Sequence, residues 1–246
     1  MNKSPNIVIL TGAGISAESG LETFRGSDGT WNKYKVEDVA TPEGFARSPR
    51  LVNDFYNERR RDAAKARPNK AHLALATLEK HFPDCFLLVT QNVDNLHEQA
   101  GSRNVLHMHG TLDHVLCLSC HERAEWKGDV TEESICPHCH AKAKLRPDIV
   151  WFGEIPFHME QIEKALAEAD IFAAIGTSGV VYPAAGFVVL AQQAGAECFE
   201  LNLAANPNSY SLFDEIISGP ATKTVPDFVN MLLKKYGEMT GFLNFK

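Results

Sequence analysis

The amino-acid sequence predicts an α/β protein: an open, doubly wound parallel sheet that carries a smaller lobe formed by two insertions. Three observations predict this. Apolar, β-branched runs that empty into small or polar residues recur at "NIVILTGAG" (6 to 14), "CFLLVTQNVD" (85 to 94), "DIFAAIGTS" (170 to 178) and "ECFELN" (197 to 202). Such runs are the pattern of parallel strands covered on both faces. Amphipathic helical stretches separate them, and two segments, 30 to 68 and 114 to 147, break the alternation.

The elements follow in order. "NKAHLALATLEKHF" puts Ala71, Leu75, Leu78 and Phe82 on one helical stripe, and "MEQIEKALAEAD" does the same with Ile162, Leu166 and Ala169. A further helix is expected to start near Pro183 and stop at Gly195, and the last to run from about Pro226 to Gly237, because proline suits helix starts and glycine helix ends. Together these place one domain over residues 1 to 246, with a large lobe at about 1–29, 69–113 and 148–246 and a small lobe at about 30–68 and 114–147.

Composition narrows the function classes. A chain of 246 residues can bury a full core. No apolar run approaches the roughly 18 residues needed to span a bilayer, and the N-terminal apolar run is too short for a signal-peptide core. A cytoplasmic, monomeric protein is expected. The formal charge of −7 argues against a surface built for nucleic-acid phosphates and accommodates basic protein partners.

"TGAGISAESG" follows the first strand at once and supplies Gly12, Gly14 and Ala17 in the pattern G-x-G-x-x-G/A. Glycines there let backbone N–H groups approach a pyrophosphate, and a following helix would add its positive N-terminus. A tight turn is the bland alternative. The acidic residue expected about 20 positions on should end a second strand, whereas Glu37 and Asp38 sit in a segment that does not read as one, so a dinucleotide must be held differently from a dehydrogenase's.

Cys117, Cys120, Cys136 and Cys139 form two C-x2-C knuckles, the spacing of a closed structural zinc site with no position left for a catalytic water. His121, His138 and His140 are alternative ligands nearby, while Cys85 and Cys198 read as small buried hydrophobes. "TQNVDNLH" places Gln91, Asn92 and Asp94 where a strand runs out, the position at which open α/β sheets bind ligands. In "VLHMHGTL", His107 and His109 would share one face of a strand, suited either to a metal or to a general base.

These motifs in this order resemble the sirtuin family of NAD-dependent protein lysine deacylases. The resemblance rests on "GAGISAESG", "TFRG", "TQNVD", "HMHG", the paired knuckles, "VWFGE" at 150 to 154, "GTS" at 176 to 178 and "LNL" at 201 to 203, and spans nearly the whole chain. It implies a modified Rossmann lobe with a zinc-bearing small lobe. By the same resemblance Gly12, Ala13, Gly14 and Glu18 would hold NAD, Phe24 and Arg25 would cover nicotinamide, and Gln91, Asn92 and Asp94 would line the ribose and nicotinamide pocket. Gly176, Thr177, Ser178, Asn202, Leu203 and Ala221 would contact the adenosine half. After Asn202 the chain reads "LAANP", without the acidic residue expected for a ribose hydroxyl.

The resemblance makes His109, with Asn92 and Asp94, the catalytic group, and NAD a consumed co-substrate beside one structural zinc ion. It implies an acyl-lysine protein or peptide clamped as an added strand by Val150, Phe152, Gly153 and Glu154 on one side and Gly179 and Val180 on the other. The acyl oxygen would attack the ribose carbon bearing nicotinamide, His109 would activate a ribose hydroxyl, and water would release lysine and O-acyl-ADP-ribose. Within "DFYNERRRD", Tyr56 and Arg59 lie three apart on one helical face, with Arg60 and Arg61 turning away. Y-x-x-R here resembles the subgroup that removes succinyl, malonyl or glutaryl groups, whose carboxylate the pair would bind. ADP-ribosyl transfer, NAD hydrolysis and non-catalytic NAD sensing remain competing readings.

Overall fold

The computed structural model describes residues 4–23, 34–204 and 211–237. Six parallel strands form the main sheet: β1 (Ile7–Thr11), β2 (Phe86–Thr90), β3 (Val105–His107), β7 (Ile171–Ile175), β8 (Glu197–Asn202) and β9 (Glu215–Ser218). Their order is β3-β2-β1-β7-β8-β9. β1, β2 and β7 are buried along their whole length, which explains why their sequences are continuous apolar runs and not alternating ones.

The helices cover both faces. On one, α4 (Lys70–His81) and α8 (Ala221–Tyr236) pack Leu75, Leu78, Phe228 and Leu232 against Ile7, Ile9, Leu88 and Ile171. On the other, α6 (Met159–Ala167) and α7 (Phe187–Gln193) pack Ile162, Leu166, Phe187 and Val188 against Val8, Leu10, Val89 and Phe172. β2 and β3 are joined by the short α5 (Leu96–Ala100).

The interrupting segments form a second centre of packing. α1 (Val36–Val39), α2 (Pro42–Arg47) and α3 (Pro49–Lys65) lie beside an antiparallel sheet of order β5-β4-β6, made by β4 (Gly110–Cys117), β5 (Arg123–Glu125) and β6 (Leu145–Ile149). Val39, Phe45, Val52, Phe55 and Tyr56 pack there on Leu112, Ile149 and Trp151.

Two expectations need correction. After β1 the chain makes two short 3-10 turns, Ala13–Ile15 and Ala17–Ser19, and no α-helix, so helix-dipole support for an anion is absent at that loop. The last helix starts at Ala221, with Pro226 inside it. Pro226 forfeits one intrahelical bond there, and the packing of Val225, Phe228, Val229 and Leu232 on the sheet keeps the helix continuous. Arg60, which turns away from the Tyr56 and Arg59 face, is buried, and its Nε and Nη1 donate to the Leu112 carbonyl and Asn57 Oδ1, each at 2.7 Å.

Candidate active site

The strand order reverses between β1 and β7, the switch point at which open sheets bind ligands. A cavity of about 660 Å³ opens there, walled by the loops after β1, β2, β7 and β8 and by residues 149 to 154. Gly14 N donates to the Gly176 carbonyl at 2.9 Å. A Cβ on Gly14 would stand 2.7 Å from Gly176 Cα, and one on Gly176, whose φ is +62°, would stand 2.5 Å from Ile15 N. Glycine is therefore required on both sides of this contact, and the loops leave bare backbone facing the cavity.

Gly12, Ala13, Gly14, Glu18, Gln91, Asn92, His109, Gly176, Thr177, Ser178, Asn202, Leu203 and Ala221 all line this cavity, as do Tyr56, Val150, Phe152, Gly153 and Glu154. Phe24 and Arg25 lie outside the described residues. Asp94, Arg59, Gly179 and Val180 are not in the wall. Asp94 sits behind it, accepting from Ser16 Oγ at 3.2 Å and from Leu96 N at 3.1 Å. Glu18 takes the Thr222 N–H and hydroxyl at 2.9 and 2.6 Å, satisfying an open donor in the first turn of α8. Asn92 Nδ2 donates to the Gly12 carbonyl at 3.1 Å and to Ser16 Oγ at 3.2 Å, which ties the β2 loop to the glycine loop.

Among the described residues His109 is held by one bond, from Nδ1 to the Gln91 carbonyl at 3.2 Å. A carbonyl only accepts, so Nδ1 carries the proton and Nε2 keeps a free lone pair. Burial lowers the His109 pKa below the ordinary histidine value, against the opposing pull of that carbonyl. The group at the cavity wall is a neutral imidazole, ready to take a proton.

His107 has the opposite surroundings. Nδ1 meets the Asn92 carbonyl at 3.0 Å and Nε2 meets Glu98 Oε1 at 2.7 Å. Two acceptors require two N–H donors. Burial pulls its pKa down, but the Glu98 bond and charge outweigh that and the net shift is upward. Glu98 therefore supplies a carboxylate beside this histidine pair.

A buried polar layer that no motif in the sequence announces lies beneath the site. Thr11, Ser16, His72, Thr90 and His97 are all buried. His97 Nε2 meets Thr11 Oγ1 at 3.0 Å, Thr11 Oγ1 donates to Thr90 Oγ1 at 2.9 Å, and His72 Nε2 lies 3.4 Å from Ser16 Oγ. Burial lowers both histidines, His72 to about 4. The available signal was a lone polar residue in otherwise apolar helical sequence, "NKAHLAL".

The four knuckle cysteines bring their sulfurs within 4.8 Å of one another. Cys117 and Cys139 Sγ lie 3.7 Å apart, and Cys120 and Cys136 Sγ 3.8 Å apart. Thiolates on a tetrahedron with zinc–sulfur bonds of about 2.3 Å stand roughly 3.8 Å apart, so the donor set fits zinc. His121 and His140 follow the second cysteine of each knuckle with φ of 61° and 60°, and their N–H groups donate to the Cys117 and Cys136 carbonyls. Among the described residues no histidine joins the cluster.

In the acyl-binding candidates, Tyr56 OH accepts from Trp151 Nε1 at 3.0 Å. Arg59 lies with Cζ 4.9 Å from the Phe55 ring centroid and contacts Glu58 at 3.2 Å. Its Nη1 is buried with no hydrogen-bond partner among the described residues. Arg61 pairs with Asp129 on the surface at 2.6 Å.

A glycine-lined dinucleotide cavity, a neutral histidine in its wall and a four-cysteine knuckle pair define a class of NAD-site protein with a zinc-type lobe. Residues 12–183 match the Sir2 family, and the chain belongs to that family. It is 56% identical over 236 residues to the NAD-dependent protein deacylase of Salmonella typhimurium, covering 95% of this chain and 86% of that one. It is 58% identical over 232 residues to the protein of the same description from Bdellovibrio bacteriovorus, covering 93% and 97%. A Sir2 homolog–NAD complex superposes with a TM-score of 0.85 at 39% identity, covering 95% of this chain and 91% of that chain. A Sir2 variant with a deacetylated p53 peptide and 3'-O-acetyl ADP-ribose superposes with a TM-score of 0.80 at 29% identity, covering 96% and 95%. Among the described residues no helix is long and apolar enough to cross a membrane.

Proposed function

We propose that this chain is an NAD-dependent protein lysine deacylase that removes acetyl and acidic acyl groups such as succinyl and malonyl, forming nicotinamide and O-acyl-ADP-ribose. The observation that carries this is the neutral His109, whose free Nε2 shares a cavity with the Gly12–Gly14 loop.

NAD supplies a ribose carbon whose leaving group is already cationic. The chain's own residues do the rest. Gly12, Ala13 and Gly14 bring backbone to the pyrophosphate, supported by Glu18, while Gly176, Thr177, Ser178, Asn202, Leu203 and Ala221 receive the adenosine half. Gln91 and Asn92 line the nicotinamide and ribose end, with Asp94 fixing Asn92 through Ser16. His109 Nε2 takes the ribose hydroxyl proton, and its imidazolium is supported by the Gln91 carbonyl. Val150, Phe152, Gly153 and Glu154 on one side and Gly179 and Val180 on the other are assigned to clamp the peptide as an added strand.

The same reading divides the chain into a large lobe (1–29, 69–113, 148–246) and a zinc-stabilised small lobe (30–68, 114–147), and assigns Tyr56 and Arg59 to the distal acyl carboxylate. The unpartnered buried Nη1 of Arg59 supports that assignment, since a buried guanidinium nitrogen without an acceptor is costly unless a ligand supplies one.

Mass spectrometry of the products of an acetyl-lysine peptide and NAD tests this reading. O-acetyl-ADP-ribose supports deacylation. Free ADP-ribose with intact acetyl-lysine, or ADP-ribosylated protein, would replace it with hydrolase or transferase activity, and no turnover of NAD would leave a sensor.

A further inference from the structure

Trp151 lies within "VWFGE" and is 2% exposed. Its indole packs on the Arg146 guanidinium, 3.4 Å from Cζ to the ring centroid, and on the Phe45 ring at 5.3 Å. Arg146 is itself immobilised: Nη1 and Nη2 donate to the two Glu154 carboxylate oxygens at 2.7 and 3.0 Å, and Nη2 also to the Ile149 carbonyl at 2.7 Å. Glu154 Oε2 closes the ring of contacts by accepting Trp151 N–H at 2.8 Å. The indole has no freedom to choose its partner.

That partner is the Tyr56 hydroxyl, 3.0 Å from Trp151 Nε1. Indole N–H is a donor only, so the phenol oxygen must accept. The phenol's own proton therefore points elsewhere, and among the described residues no acceptor is recorded for it. Tyr56 lines the cavity. Burial raises its pKa above the ordinary phenol value, so the proton stays in place across the working pH range.

We propose that Trp151 is a positioning residue for acyl-group selection: by occupying the acceptor side of the Tyr56 hydroxyl, it commits the phenol proton to the cavity, where an acyl group ending in a carboxylate receives it. This rests on the reading of Tyr56 as an acyl-binding residue. Donation into the phenol oxygen also polarises its O–H, and cooperative chains of this kind strengthen each bond. A carboxylate gains more than a neutral acetyl group because the resulting bond is charge-assisted.

The test replaces the indole N–H while keeping the ring. Benzothienylalanine at position 151 substitutes sulfur for N–H, and Trp151→Phe is the simpler companion. kcat/KM is measured for succinyl- and acetyl-lysine forms of one peptide, in the Tyr56 chain and in the Tyr56→Phe background. The succinyl-to-acetyl ratio should fall roughly three- to tenfold in the Tyr56 chain, the worth of one hydrogen bond, and not change in the Tyr56→Phe background. An equal fall in both backgrounds would mean that Trp151 acts through cavity shape, and an unchanged ratio in the Tyr56 chain would equally overturn the inference. If Tyr56→Phe alone leaves the ratio at its wild-type value, the acyl-binding reading fails as well.

Discussion

His107 and His109 stand two residues apart and hydrogen-bond through Nδ1 to consecutive backbone carbonyls, those of Asn92 and Gln91, at 3.0 and 3.2 Å, yet their surroundings shift their pKa values in opposite directions. Glu98 completes the second bond of His107 and raises its pKa, whereas among the described residues no acid stands beside His109 and burial lowers its pKa. One histidine fastens the β2 loop and the other is left free to accept a proton.

The pH dependence of deacylation follows from the sign of the His109 shift. Its folded-state pKa lies below 6.5, so the base form persists as pH falls from 8 through 6.5, and kcat/KM should decline only below that. An acylated lysine has no amine to titrate, so the acidic limb belongs to the enzyme. A limb centred above pH 7 would contradict the assignment. His109→Ala should lose deacylation by about 10²- to 10⁴-fold while retaining NAD binding by calorimetry.

Glu98→Gln removes the group that raises the His107 pKa. A raised folded-state pKa contributes stability that is fully present below the unfolded value of about 6.5 and is lost as pH rises through the folded value. The wild-type advantage over Glu98→Gln should therefore be largest near pH 6 and shrink in alkaline buffer. Glu98 is 42% exposed at its side chain, so solvent screening limits the effect to roughly 1 kcal/mol or less. Thermal unfolding across pH checks this; a gap that widens with rising pH would reverse the sign.

Acyl preference is expected to depend on Tyr56 and Arg59. Arg59→Met should reduce desuccinylation far more than deacetylation, by about 1.5 to 3 kcal/mol for a charge-assisted bond, or roughly ten- to hundredfold. Tyr56→Phe should act in the same direction. Equal losses on both acyl peptides would return the pair to a structural role.

Metal analysis should find one zinc per chain, released only when thiolate ligands are blocked or chelated. Because the small-lobe packing of Val115, Val130 and Leu145 closes around Cys117 and Cys136, metal removal should lower Tm and abolish deacylation, with both recovered on zinc addition. A stripped chain that keeps its Tm would contradict a structural ion.

Local patterns were legible where chemistry and fold use contiguous residues. The buried strands, the Gly12–Gly14 loop and the two cysteine knuckles could each be read within ten or so positions. Features that depend on distant partners could not. Arg60 is buried because the Leu112 carbonyl, 52 residues away in sequence, accepts from it, and without that partner a surface arginine is the natural expectation. The helix start at Ala221 is set by packing that overrides Pro226, and β3 and β9, of three and four residues, are too short to show a period. Nothing in "VWFGE" itself singles out Trp151, whose indole joins the Arg146–Glu154 contacts to Tyr56.

The central claim is that NAD cleavage is coupled to acyl removal, and the most direct measurement counts both in one reaction. With a lysine-acylated peptide and NAD, the account predicts one nicotinamide released for each lysine freed, and release of neither above background when the acyl group is omitted. Nicotinamide released in clear excess over freed lysine, or at the same rate without an acyl group, would contradict it.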